Sequence, residues 1–138
     1  MTGLRRSEAL NLQKSDIDFE KNEIIIRRTK TKLLRFIPLH PKAISILINQ
    51  GEKIFTELRK DYVTKKFVSY LKASELSDLN LHSLRHTFAT NLIAKGVDIY
   101  TVSRLLGHTD IKTTMVYAKV NTATLQSAIA KLKLANHY

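Results

Sequence analysis

The sequence predicts an α+β fold that is mainly α: a helical bundle with a small antiparallel β-hairpin near the N-terminus. Three observations predict it. Two runs rich in β-branched and aromatic residues, Glu23–Arg28 and Leu33–Leu39, lie close together early in the chain. Beyond them, apolar residues recur at helical rather than alternating spacing. The 138 residues, 43% of them hydrophobic, suit one domain with a core, and two prolines and four glycines leave no room for a flexible linker.

Each element has its own signal. Residues Arg5–Leu12 read as a short helix without N-terminal support. The two runs read as strands, turning through Thr29-Lys30-Thr31-Lys32. His40-Pro41 opens the next helix, because proline suits the first helical position. Ala43, Ile44, Leu47 and Ile48 form its apolar face, and Gly51 ends it. Asp61 caps a further helix that carries Val63, Phe67, Tyr70 and Leu71. Leu84, Phe88 and Leu92 make an i, i+4, i+8 stripe on a helix closed by Lys95-Gly96. Ile99, Val102, Leu105 and Leu106 form another, stopped by Gly107. Thr109 or Asp110 caps a short one with Met115 and Val116. Asn121 or Thr122 starts the last, with Leu125, Ile129 and Leu132 expected on its inner face.

Charge narrows the partners. Lysine and arginine number 23 against 12 acids, for a net charge of +11. An anionic partner is expected, and nucleic acid is the commonest. From Arg27 to Lys72 there are twelve cations and three acids (Glu52, Glu57 and Asp61). The absence of cysteine excludes disulfides, thiolate metal sites and cysteine nucleophiles. No apolar run is long enough for a spanning helix, and the N-terminus lacks a signal-peptide h-region. A soluble, cytoplasmic protein is expected.

Several residues carry chemistry. His82 and Arg85, spaced i, i+3, share one side of their helix. Arg85 borders the Leu84 stripe, so its partly buried guanidinium needs an anion, and no acid lies within a turn. Gly107 ends a helix and places His108 just beyond it. Nine residues on stands Tyr117, beside Thr113 and Thr114. Arg5 follows a glycine at a helix mouth, with Glu8 three residues later. Lys30 projects from the hairpin turn. Taken alone, each has a bland explanation: a surface histidine, a helix-end histidine, a half-buried tyrosine, an exposed ion pair, a solvated lysine.

The ordered set is not bland. Arg5, Lys30, His82-x-x-Arg85, His108 and Tyr117, with the strings Leu-His-Ser-Leu-Arg-His-Thr-Phe-Ala-Thr and Leu-Leu-Gly-His-x(8)-Tyr, resemble the tyrosine recombinase (phage integrase) family over nearly the whole chain. The resemblance implies the tyrosine recombinase catalytic fold and site-specific DNA recombination or integration. Strands are cut and rejoined through a 3′-phosphotyrosyl intermediate. By the same resemblance Tyr117 is the nucleophile, Arg5 and Arg85 hold the non-bridging phosphate oxygens, and His108 adds a donor. His82 is the general base, Lys30 the general acid, and Glu8 supports the site. Fixed cations carry the charge chemistry, so no metal and no cofactor is expected. Arg6, Arg27, Arg28, Lys32, Arg35, Lys65, Lys66 and His86 are expected to contact DNA.

The implied partners are double-stranded DNA and further copies of the chain, a tetramer on paired DNA sites, or a monomer for the isolated chain. Relatives carry a core-binding domain before the first arginine motif. Residues 1–138 are therefore expected to be a catalytic-domain fragment. Two alternatives share the same residues: type IB topoisomerase-like cleavage and religation, and a non-catalytic DNA-binding remnant.

Overall fold

In the computed structural model, residues 2–27, 34–55, 58–76, 78–118 and 122–130 are described. The expected turn Thr29–Lys32, with Lys30, Lys32 and Arg28, lies outside them. So do Asn121 and Leu132. The elements are α1 (Arg6–Leu10), β1 (Ile17–Asp18), β2 (Glu23–Ile26), β3 (Arg35–Pro38), α2 (Pro41–Leu47), α3 (Lys60–Ala73), α4 (Leu81–Ala94), α5 (Ile99–Leu106), α6 (Lys112–Met115) and α7 (Thr122–Ala130).

The sheet is antiparallel in the order β1-β2-β3, with Ile24 opposite Ile37. The predicted hairpin is present, and β1 adds a strand too short for any alternating pattern to reveal. Alternation along β3 turns Arg35 and Ile37 inward and leaves Phe36 half exposed. One apolar core lies on this sheet: Leu12, Ile17, Ile24, Ile26, Ile37 and Leu39, closed by Ala43 and Leu47 of α2 and by Ile54. A second is built from Ala89 of α4 with Val102 and Leu106 of α5, flanked by Phe88, Leu92, Ile93, Val97 and Tyr117.

Helix ends follow local chemistry, with corrections to the expected caps. α1 does have N-terminal support, since Glu8 accepts the Arg5 amide at 2.8 Å. Pro41 opens α2 behind His40, whose Nδ1 accepts the Lys42 amide. α2 stops at Leu47, before Gly51, and Ile48 is exposed. Arg59, not Asp61, is the N-cap of α3, and Asp61 sits in its first turn, where a carboxylate still favours the dipole. Tyr70 lies outside that helix's buried face. α6 begins behind Ile111, and the Asp110 carboxylate accepts the Lys112 amide at 2.9 Å. Val116 follows α6 and, like Met115, is exposed.

Two stripes differ more. On α4 the buried residues are Arg85 and Ala89, while Leu84 is 57% exposed. Of the Leu84–Phe88–Leu92 stripe, Phe88 and Leu92 do pack against the core beside Ala89, and only Leu84 faces outward. On α7 the expected inner face is exposed, at 57% for Leu125 and 68% for Ile129. The described structure buries neither.

Candidate active site

The site lies where the two cores meet, and a carboxylate with three guanidiniums builds it. Glu8 on α1 accepts Arg5 Nη1 at 2.9 Å through Oε1 and Arg35 Nη2 at 2.8 Å through Oε2. Burial opposes ionisation of Glu8. Hydrogen bonds from Arg35 and from the Arg5 amide outweigh it and hold the carboxyl below its ordinary range. Arg35 is 8% exposed. It was expected to contact DNA, but strand alternation points it inward, where Nη1 also donates to the Leu106 carbonyl at 3.2 Å. Its Nε is buried and has no hydrogen-bond partner among the described residues.

Arg85 is buried more deeply, at 4% exposure. Its Nη1 donates to Gly3 O at 2.6 Å and its Nη2 to Leu106 O at 2.5 Å. Arg85 and Arg35 therefore share one carbonyl at the end of α5. Burial pushes the Arg85 guanidinium down to about 10, aided by the charge of Arg5 and opposed by Glu8. Tyr117 packs against the core of Ala89, Val102 and Leu106, whose Leu106 carbonyl holds Arg85.

Two glycines make room for these side chains. Gly3 (φ +64°) brings its carbonyl to Arg85, and a Cβ there would enter the Phe88 ring. Gly107 (φ +68°) caps α5 in the left-handed conformation, and a Cβ would strike the Arg35 guanidinium. The Gly107 carbonyl accepts Arg5 Nη2 at 3.3 Å.

The histidines differ sharply. His108 follows Gly107 and bonds through Nδ1 to the Oγ1 of the fully buried Thr114 at 2.7 Å. Burial, then the charges of Arg85, Arg5 and Arg35, push it down to about 4, so it is neutral at pH 7. His82 is exposed and is also lowered, by desolvation first and then by His86, Arg85 and Arg5. The His82 ring packs edge-on against His86, with centroids 4.6 Å apart. Tyr117 is half-buried, and its hydroxyl lies 2.5 Å from His86 Nδ1.

Of the expected catalytic set, the fold thus gathers Arg5, His82, Arg85, His108 and Tyr117 with Glu8, while Lys30 lies outside the described residues. Among the residues expected to contact DNA, Arg6 donates through Nη1 to Thr64 Oγ1 on α3 at 2.7 Å. Arg27 is exposed and pairs with Asp16 at 2.7 Å. Lys65 and Lys66 are exposed on α3, with Lys66 over the Tyr70 ring. His86, also on that list, faces Tyr117.

The model of the Phage integrase family matches residues 1–124. The chain belongs to the phage integrase family. Among characterised members it is 40% identical over 147 residues to tyrosine recombinase XerA of Pyrococcus horikoshii, covering 96% of this chain and 51% of that protein. It is 36% identical over 151 residues to XerA of Thermococcus onnurineus, covering 96% and 52%. The chain thus spans about half the length of these relatives. The catalytic domain of bacteriophage HP1 integrase superposes with a TM-score of 0.76 at 30% identity, over 98% of this chain and 78% of that one. XerH site-specific recombinase bound to its difH substrate gives 0.74 at 26%, over 94% and 43%. Family members are thus mainly helical with a small antiparallel sheet, as this chain is.

Proposed function

We propose that residues 1–138 form the catalytic domain of a site-specific recombinase that cuts and rejoins double-stranded DNA through Tyr117. The observation that carries this reading is electrostatic. The guanidiniums of Arg5 and Arg35 share the Glu8 carboxylate, and that of Arg85 shares the Leu106 carbonyl with Arg35, beside a core against which Tyr117 packs. Two of the three are buried. A buried positive excess of this kind needs an anion, and a phosphodiester supplies one.

In the proposed reaction Tyr117 Oη attacks phosphorus, the Oη–P bond forms and the P–O5′ bond breaks. Arg5 and Arg85 stabilise the charge on the non-bridging oxygens. Only two of the five N–H donors of Arg85 are taken by Gly3 and Leu106, which leaves donors for phosphate. His108 is held neutral, and with the Thr114 hydroxyl donating to Nδ1 its Nε2–H becomes a further donor. The phenol proton goes to the His82–His86 imidazole pair. Lys30 protonates O5′. Because guanidiniums supply the positive charge, no divalent metal is required. The phosphotyrosine conserves the bond energy, so a 5′-hydroxyl can reverse the step or exchange strands.

Surface features fit the same reading. Arg27, Lys65 and Lys66 would flank the duplex. Exposed Leu125 and Ile129 on α7 support self-association on paired DNA sites.

The test is covalent capture. A pool of nicked random-sequence duplexes is incubated with the protein and denatured, and protein-bound DNA is recovered and sequenced. The expected result is an adduct with the unaltered protein and none with Tyr117→Phe. Salt-sensitive binding with no adduct in either protein sinks the catalytic reading and leaves a DNA-binding domain.

A further inference from the structure

Of the imidazoles gathered at the site, only His86 is hydrogen-bonded to the Tyr117 hydroxyl among the described residues. His108 has its Nδ1 engaged by Thr114. His82 presents its ring to His86. His86, which belongs to the expected DNA contacts and not to the six-residue set, lies with Nδ1 2.5 Å from Tyr117 Oη. The two rings meet edge-on at a centroid distance of 5.3 Å. The contact joins residues 31 apart in sequence, from the second turn of α4 to the turn after α6, so local geometry does not impose it.

We propose that His86 is a catalytic residue, its Nδ1 being the direct acceptor of the Tyr117 phenol proton during DNA cleavage and the donor that returns it on rejoining. This rests on the recombinase reading above. The proton balance is simple. Oη–H breaks as Oη–P forms, the proton stays on Nδ1, and O5′ leaves with a different proton from the general acid. In the reverse step Nδ1–H protonates the departing phenol oxygen. Geometry places a base within hydrogen-bond reach of the proton it must take. His86 acts as acceptor when its other nitrogen, Nε2, carries the ring proton. The edge contact with His82 supplies the second element of the device. A positive charge on His86 would disfavour the charged form of the His82 ring that it touches. Because His86 is exposed, its replacement leaves both cores intact.

The experiment compares unaltered protein, His86→Ala, His86→Asn and Tyr117→Phe in single-turnover adduct formation, on a duplex recovered by the capture above. The same duplex with sulfur in place of the bridging O5′ is run in parallel, because a thiolate leaves without a general acid. Expected is a loss of roughly 100-fold or more in His86→Ala, as for removal of a general base. The loss persists with the sulfur substrate, the rate climbs with hydroxide, and added imidazole partly restores it. His86→Asn, which can keep a hydrogen bond at the Nδ1 position but cannot take the proton, is expected to be as slow. Wild-type rates in His86→Ala, or full activity in His86→Asn, overturn the proposal. Absence of any adduct with unaltered protein refutes the recombinase reading and, with it, the proton-transfer step. The contact is judged separately by the ¹⁵N shift of His86 Nδ1, which moves on Tyr117→Phe if the hydrogen bond exists and stays fixed if it does not.

Discussion

At the scale of single residues, the site separates imidazoles by environment. His108 and His82 have the same side chain, yet burial and three guanidiniums hold His108 at about 4 while His82 is only lowered. This has a defined consequence for stability. The ordinary histidine value is 6.5, and the folded value of His108 lies below it. Between pH 6.5 and about 4 the unfolded chain takes up a proton that the folded chain refuses. Stability from this group is therefore complete above pH 6.5 and is lost as pH falls through that window. NMR titration of the His108 ring checks this, with a midpoint near 4 expected. A midpoint at the ordinary value would show that the guanidiniums do not act on it. His108→Gln should remove this component of the acid sensitivity as followed by urea unfolding.

At the scale of elements, Arg35 ties the two cores together. One side chain from β3 reaches Glu8 on α1 and the Leu106 carbonyl at the end of α5. The same carbonyl and the Gly3 carbonyl hold Arg85 of α4. Beyond the apolar packing of α4 on α5, charge-assisted hydrogen bonds thus tie four elements together. Removing one partner of a buried ion pair leaves the other charged and unsolvated. Arg35→Ala is expected to cost about 3 kcal/mol in urea unfolding, in line with buried pairs broken at one side. Glu8→Gln added to Arg35→Ala should cost less than the two single losses together, because both charges are then gone. Strict additivity in that double-mutant cycle would mean that the pair is not coupled. Arg35→Lys should not restore the site, since an ammonium lacks the planar fork that bonds a carboxylate and a carbonyl at once.

At the scale of the whole molecule, the net charge of +11 is divided between two uses. Arg35 and Arg85 spend their charge inside the protein, and Arg6 joins α1 to α3. The exposed cations remain for a polyanion. Duplex binding is expected to weaken with salt with a log–log slope of about −0.9 per phosphate neutralised. Four such contacts correspond to roughly a hundredfold loss of affinity between 50 and 200 mM salt. Fluorescence anisotropy with a labelled duplex measures the slope. A flat response would rule out phosphate contacts as the source of binding.

How much of this was legible in the sequence depends on the range of the forces involved. Helix α5 was readable from its apolar face and from Gly107, which act within a turn or two, while the Asp98 cap that opens it was not read. The hairpin was readable from its β-branched runs, but two-residue β1 was not, since alternation needs more length. The α4 stripe misled only at Leu84, where leucine suggests burial, whereas Gly3 and Leu106 supply carbonyls that draw the neighbouring Arg85 inward. Arg35 carried a usable signal: it stands two and four residues before Ile37 and Leu39, so period two places it on their buried face. Its charge pointed the other way. By itself the sequence determined the element types, the basic balance and the ordered motif residues, because these rest on local periodicity, composition and spacing. Only the tertiary structure decided that Arg35 turns inward to Glu8, that His108 is held neutral, and that His86, not His82, meets Tyr117. Those outcomes depend on groups that the fold brings together from distant parts of the chain, where a single carbonyl or carboxylate decides which side chain is buried and which is left to react.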